Sequence, residues 1–71
     1  MINTNKIKGR MAELGITQKD LAKALKISPP TVSQKINNIR PMDLSEAEIM
    51  TEILKIQSEE FAEYFFCSTV A

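Results

Sequence analysis

A chain of 71 residues has room for one hydrophobic core, and at that length folding removes only about 60% of the surface that the unfolded chain exposes. Apolar residues at 44% and charged residues at 25% exclude a disordered tail, while the lack of histidine and a single cysteine, Cys67, exclude an intramolecular disulfide and the usual zinc ligand sets. The formal net charge of zero conceals a division: residues 1–40 carry eight Lys or Arg against two acids, a net of +6, and residues 41–71 carry Lys55 against seven acids, a net of −6.

Such asymmetry points to a basic half that meets nucleic acid and an acidic half that does not; solvated helix faces that happen to segregate are the competing explanation. No apolar run approaches the roughly 20 residues needed to span a bilayer, and Met1–Lys6 has no apolar leader segment, so neither membrane insertion nor secretion is expected. A reducing cytoplasm is the expected setting for the lone thiol, and no neighbouring basic group activates it.

Ile7, Met11 and Leu14 recur at helical spacing and Gly15 follows in the position of a left-handed stop, which predicts a first helix over 5–14. Thr17-Gln18-Lys19-Asp20 has the form of a capping box and opens a second helix over 18–26, with Leu21 and Leu25 facing inward. Ser28 is a good N-cap and Pro29 stands at the first helical position, so a third helix follows over 29–37 with Val32 and Ile36. Asn37-Asn38-Ile39-Arg40-Pro41 breaks it. Ser45-Glu46-Ala47-Glu48 reads as a second capping box, opening a fourth helix over 45–55 whose stripe is Ile49, Met50, Ile53, Leu54 and Ile56. Ser58, with Glu59 and Glu60 behind it, caps a fifth over 58–66 carrying Phe61, Tyr64, Phe65 and Phe66. The expected fold is therefore all-α, one compact five-helix domain over 1–71, with Leu21, Leu25, Val32, Ile49, Ile53 and Phe61 in a single core. The aromatic cluster at the end reads either as core or as an interface, because three aromatic rings exceed what a small monomer readily buries.

The informative stretch is residues 17–37. It resembles the helix-turn-helix of the Cro/repressor family, the lambda-repressor-like DNA-binding domain: Leu21, Leu25, Ile27 and Val32 fill the apolar slots, Ala22 supplies the small residue between the helices, and Thr17-Gln18 opens the second helix. Two positions depart from the family pattern, Lys26 where glycine is preferred in the turn and Lys35 in a slot that is usually apolar, for which a slightly rotated or re-ended third helix would account. Ser33-Gln34-Lys35-Ile36-Asn37-Asn38, the proline after it and the closing Glu63-Tyr64-Phe65-Phe66 extend the resemblance to small temperate-phage regulators of the modulator-of-repression type.

The resemblance implies that the start of the third helix enters the major groove and the start of the second meets phosphates. Carried over, the base-reading slots fall on Pro29, Pro30, Ser33 and Gln34; Gln34 is able to pair with adenine, whereas neither proline makes a directional hydrogen bond. Gln18, Lys19, Thr31, Lys35, Asn38 and Arg40 are the candidate phosphate contacts, which give affinity but little sequence information. Pro29 and Pro30 serve equally well as plain helix starters, and Gln34 and Lys35 as solvated residues.

An enzyme needs a nucleophile with its base, paired carboxylates in a cleft, or a metal. With no histidine and little bulk to enclose a pocket, no catalytic residue, metal ligand or cofactor is assigned. The sequence pI of about 6.2 is low for a dedicated nucleic-acid module, where about 9 is usual. Two readings follow. In one, the chain binds the N-terminal DNA-binding domain of a phage repressor through Pro29, Pro30, Ile36, Ile39 and Met42, with double-stranded DNA touched weakly or only in a joint complex. In the other, it is a stand-alone Cro-like repressor. Both place it in a bacterial host cytoplasm, and self-association as a homodimer is compatible with either.

Overall fold

The computed structural model describes residues 1–66; Cys67, read from sequence as an inert thiol, lies outside the described residues. Five α-helices run in order as α1 (Thr4–Leu14), α2 (Gln18–Leu25), α3 (Pro29–Ile36), α4 (Leu44–Ile53) and α5 (Phe61–Phe65), with one 3-10 turn at Ser58–Glu60 before the last. No strand occurs among the described residues. The Cα radius of gyration of 11.1 Å is that of a compact chain of this length, for which about 11 Å is expected. No described helix is long and apolar enough to cross a membrane.

Local chemistry sets most helix ends. Asn3 accepts from the Lys6 amide to open α1, and Gly15 closes it at φ 68°, a left-handed conformation that favours glycine. The Thr17/Asp20 box opens α2 as the sequence predicts, and Ser28 caps α3 with Pro29 and Pro30 in its first turn. Two expected caps are corrected. The box on α4 is built by Asp43 and Glu46, not Ser45 and Glu48: Asp43 accepts from the Glu46 amide and the Glu46 carboxylate accepts from the Asp43 amide. Asp43 is as good a cap as Ser45, and with it in place the helix starts one residue earlier than its sequence pattern indicates. Ser58 caps nothing; its hydroxyl donates to Glu59 and the segment Ser58–Glu60 winds as 3-10 helix, leaving α5 only five residues long.

Each long helix gives one or two side chains to a single core. Ile7, Leu21, Val32, Ile36, Met50 and Leu54 are fully enclosed, and Ile2, Met11, Ala22, Ala47, Ile56, Tyr64 and Phe65 surround them. Of the expected core, Leu21 and Val32 are buried, while Leu25, Ile53 and Phe61 pack against it half-buried. Ile49 is corrected: it is 37% exposed. With the helix phase set by Asp43, the positions that face inward are Ala47, Met50 and Leu54, spaced three and four apart, and Ile49 falls on the flank. The aromatic cluster divides between the two roles open to it, Tyr64 and Phe65 inside and Phe66 outside.

The N-terminal segment is stitched down rather than left to fray. The Asn3 amide donates to the Tyr64 carbonyl at 2.7 Å, the Thr4 hydroxyl donates to the Ile36 carbonyl at 2.7 Å, and Asn38 brackets Ile2, accepting from its amide and donating to its carbonyl, each at 3.0 Å. Arg10 caps the far end of α4, donating to the carbonyls of Leu54 at 2.8 Å and Lys55 at 3.0 Å. These bonds tie α1 to the ends of α3, α4 and α5.

Truncating Leu54 to alanine is expected to cost about 2–5 kcal/mol, because it empties a fully enclosed site. Ile49→Ala should cost under about 1 kcal/mol, and Leu25→Ala should fall between them. Chemical denaturation of the three variants checks the order.

Candidate functional site

Helices α2 and α3 pack on one another across a three-residue connection, Lys26-Ile27-Ser28. Lys26 stands at φ 59° and ψ 41°, the left-handed position for which glycine is the ordinary residue, and the Ile27 amide reaches back to the Ala22 carbonyl at 3.1 Å. The turn thus keeps a glycine-type backbone with a lysine in it. Lys35 is the second departure from the pattern. α3 ends at Ile36, one residue before its expected end, and it is Ile36 that is fully enclosed. Lys35 is accommodated because its ammonium pairs with the Glu46 carboxylate, the two side chains being only 14% and 13% exposed.

The sequence-derived contact residues therefore part into two groups. Lys19 and Arg40 are exposed, and Gln18, Thr31, Ser33 and Gln34 are half-buried on the α2–α3 pair. Pro29 and Pro30 are exposed at the tip of α3. Lys35 and Asn38, in contrast, are employed inside the fold, one pairing α3 with α4 and the other holding Ile2 from a left-handed conformation at φ 62°. Thr31 and Ser33 are also engaged locally, the Thr31 hydroxyl with that of Ser28 at 2.8 Å and Ser33 with the Asn37 amide group. Ile36 is corrected as a contact residue: its side chain is fully buried, because α3 turns that position onto the core.

Of the remaining apolar contact candidates, Ile39 and Met42 meet at one place, while Pro29 and Pro30 lie at the other end of α3 and do not line it. Ile39, 71% exposed, and the half-buried Met42 line a groove of about 420 Å³ with Pro41, Met1 and Phe66, the last 63% exposed. Arg40 lies on the same wall. Met1 and Phe66 come from the two ends of the described chain, and no periodicity could have placed them beside residue 39. Arg10 was likewise invisible as a structural residue, since its partners lie 44 and 45 positions away.

Charge is redistributed by these contacts. Lys6 donates to Glu63 at 2.7 Å and lies 4.9 Å from the centre of the Tyr64 ring. That hydrogen bond raises the Lys6 pKa and lowers that of Glu63. With Lys6, Arg10 and Lys35 all partnered, the cations of residues 1–40 that form no ion pair with a described residue are Lys8, Lys19, Lys23, Lys26 and Arg40. The Asp20 carboxyl is held below the usual aspartate range by the Thr17 amide, which donates to it at 2.8 Å, and by the Thr17 hydroxyl at 3.0 Å.

These features define a small all-α protein whose polar helix pair abuts an exposed apolar groove. Over residues 2–68 the chain matches the family described as "Protein of unknown function (DUF739)", and it belongs to that family. No curated protein and no solved structure matches it.

Two measurements follow. Lys26→Gly should raise stability by about 0.5–1 kcal/mol, since a left-handed L-residue costs about 1–2 kcal/mol and the more flexible unfolded glycine returns part of that gain. For Asp20 the folded pKa is the lower one, so its contribution is complete above the unfolded pKa and disappears as pH falls through the folded one. The melting temperature of Asp20→Asn should accordingly fall less steeply with acid than that of the parent chain.

Proposed function

We propose that the chain is a small transcription regulator of a temperate phage, built on a helix-turn-helix formed by α2 and α3, that grips the DNA-binding domain of the phage repressor and changes how that repressor occupies its operators. The observation that carries this reading is the pairing of a chemically blunt helix tip with an exposed apolar groove. Pro29 and Pro30 present no hydrogen-bond donor where base edges would be read, and Ile39 and Phe66 leave apolar surface exposed near the C-terminal end of the same helix, opposite the prolines. Such a patch suits the fully desolvated centre of a protein interface, with Arg40 on its rim.

The employment of Lys35 and Asn38 within the fold supports the same reading, since it removes two of the expected phosphate contacts. A stand-alone Cro-like repressor is the second reading, favoured by the unpaired Lys19, Lys23, Lys26 and Arg40. Under it, DNA affinity would be steeply salt-dependent and sequence preference modest, resting on Gln34.

Size-exclusion chromatography of the chain with the repressor's DNA-binding domain, DNA absent, separates the two. Co-elution at micromolar concentration is expected, and Ile39→Asp should weaken it at least about tenfold while leaving the far-UV circular dichroism unchanged, because a buried unpaired carboxylate is costly only in the complex. Ile36→Asp is no probe of this surface, since it places a charge in the core. Separate elution, with tight operator binding by the chain alone at physiological salt, would establish the Cro-like alternative.

A further inference from the structure

A second groove lies on different elements, between α4 and the segment that follows it. Its apolar lining is Leu44, Ile56 and Phe61, and Glu48, Thr51 and Glu52 stand along it. Leu44, Glu48 and Glu52 are spaced four apart and share one stripe of α4, so that Leu44, 61% exposed, continues the row of carboxylates. Ile56 and the half-buried Phe61 reach the core behind, which makes this an extension of packed surface and not a loose flap.

The charge here is uncompensated. The described ion pairs engage Glu13, Glu46 and Glu63, and none of them includes Glu48, Glu52, Glu59 or Glu60. Glu48 and Glu52, one turn apart on the same stripe, repel each other, and a cation docked between them would relieve that repulsion. Lys55 is the sole cation in residues 41–71, and none of the described ion pairs includes it.

This chemistry selects the occupant. A nucleic acid would meet only carboxylates. A second copy related by a two-fold axis would set Glu48 and Glu52 against themselves, and a head-to-tail copy offering its basic half makes a contact that need not close on itself. A cationic, amphipathic segment of a different protein satisfies both features of the groove. We propose that the α4 groove docks such a segment, with its apolar side chains on Leu44, Ile56 and Phe61 and its Lys or Arg residues between Glu48 and Glu52. The proposal does not depend on the repressor reading, because it uses none of the residues around Ile39.

The probe is a fluorescently labelled synthetic amphipathic helix with one leucine face and one lysine face, titrated into the full chain and followed by anisotropy and by amide chemical shifts. Saturable binding is expected, weakened about tenfold by raising salt from low to near-molar concentration, with shifts centred on Leu44, Thr51, Ile56 and Phe61. Glu48→Gln with Glu52→Gln should weaken it about tenfold with unchanged circular dichroism, both side chains being exposed. A peptide with glutamates in place of the lysines should not bind. Equal binding by the double variant, equal binding of the acidic peptide, shifts confined to Met1, Ile39 and Phe66, or self-association that the double variant abolishes would each overturn the proposal.

Discussion

Everything else in this molecule depends on one shared core, to which α1, α2, α3 and α4 each commit fully enclosed side chains: Ile7, Leu21, Val32 with Ile36, and Met50 with Leu54 just beyond its helix. At this length the apolar surface removed from water barely outweighs the entropy of ordering the chain, so no helix is stable unless its inner residues reach the others. That requirement fixes the rotation of each helix about its axis. Once Ile36 must point inward, Lys35 is carried toward α4, and once Met50 and Leu54 are inside, Ile49 is on the flank.

The polar contacts complete what the core begins, and they draw on the same cations that would otherwise describe a nucleic-acid surface. Lys6 ties α1 to α5 through Glu63, Arg10 satisfies carbonyls at the end of α4, and Lys35 joins α3 to the capping box of α4 through Glu46. Lys35 with Glu46 is largely withdrawn from water, the Lys6–Glu63 pair stays exposed, and the Arg10 bonds satisfy carbonyls that a helix end leaves open. The basic half of the sequence is thus partly a set of internal fasteners. This weakens the inference from +6 to a strong electrostatic grip on DNA and shifts weight to surfaces of other character.

Those surfaces are two grooves of unlike chemistry. One, around Ile39, is apolar with Arg40 beside it; the other, along α4, is apolar with unpaired glutamates. A domain too small to bury all its apolar side chains leaves them at the seams between short helices, and the neighbouring charges then select what each seam can accept. The proposed regulator, acting through contacts with other proteins, would need such seams more than a uniformly basic face.

The sequence by itself determined the elements whose causes are local. Thr17 with Asp20, Ser28 with Pro29, and Gly15 set helix ends through hydrogen bonds and backbone preferences spanning only a few residues, so α1, α2 and α3 were legible to within about two positions. The same logic misplaced the start of α4, because Asp43 and Ser45 are both good caps and local chemistry does not choose between them, and it read through the 3-10 turn before α5. Tertiary structure alone decided which side chains are free to meet a partner. Lys35, Ile36 and Asn38 look available in sequence and are spent on Glu46, the core and Ile2, while Met1 and Phe66 gain importance only by lying beside Ile39. The physical reason is that capping acts over one helical turn, whereas the partners of Arg10, Lys35 and Asn38 are brought to them by helix packing from 44, 11 and 36 residues away.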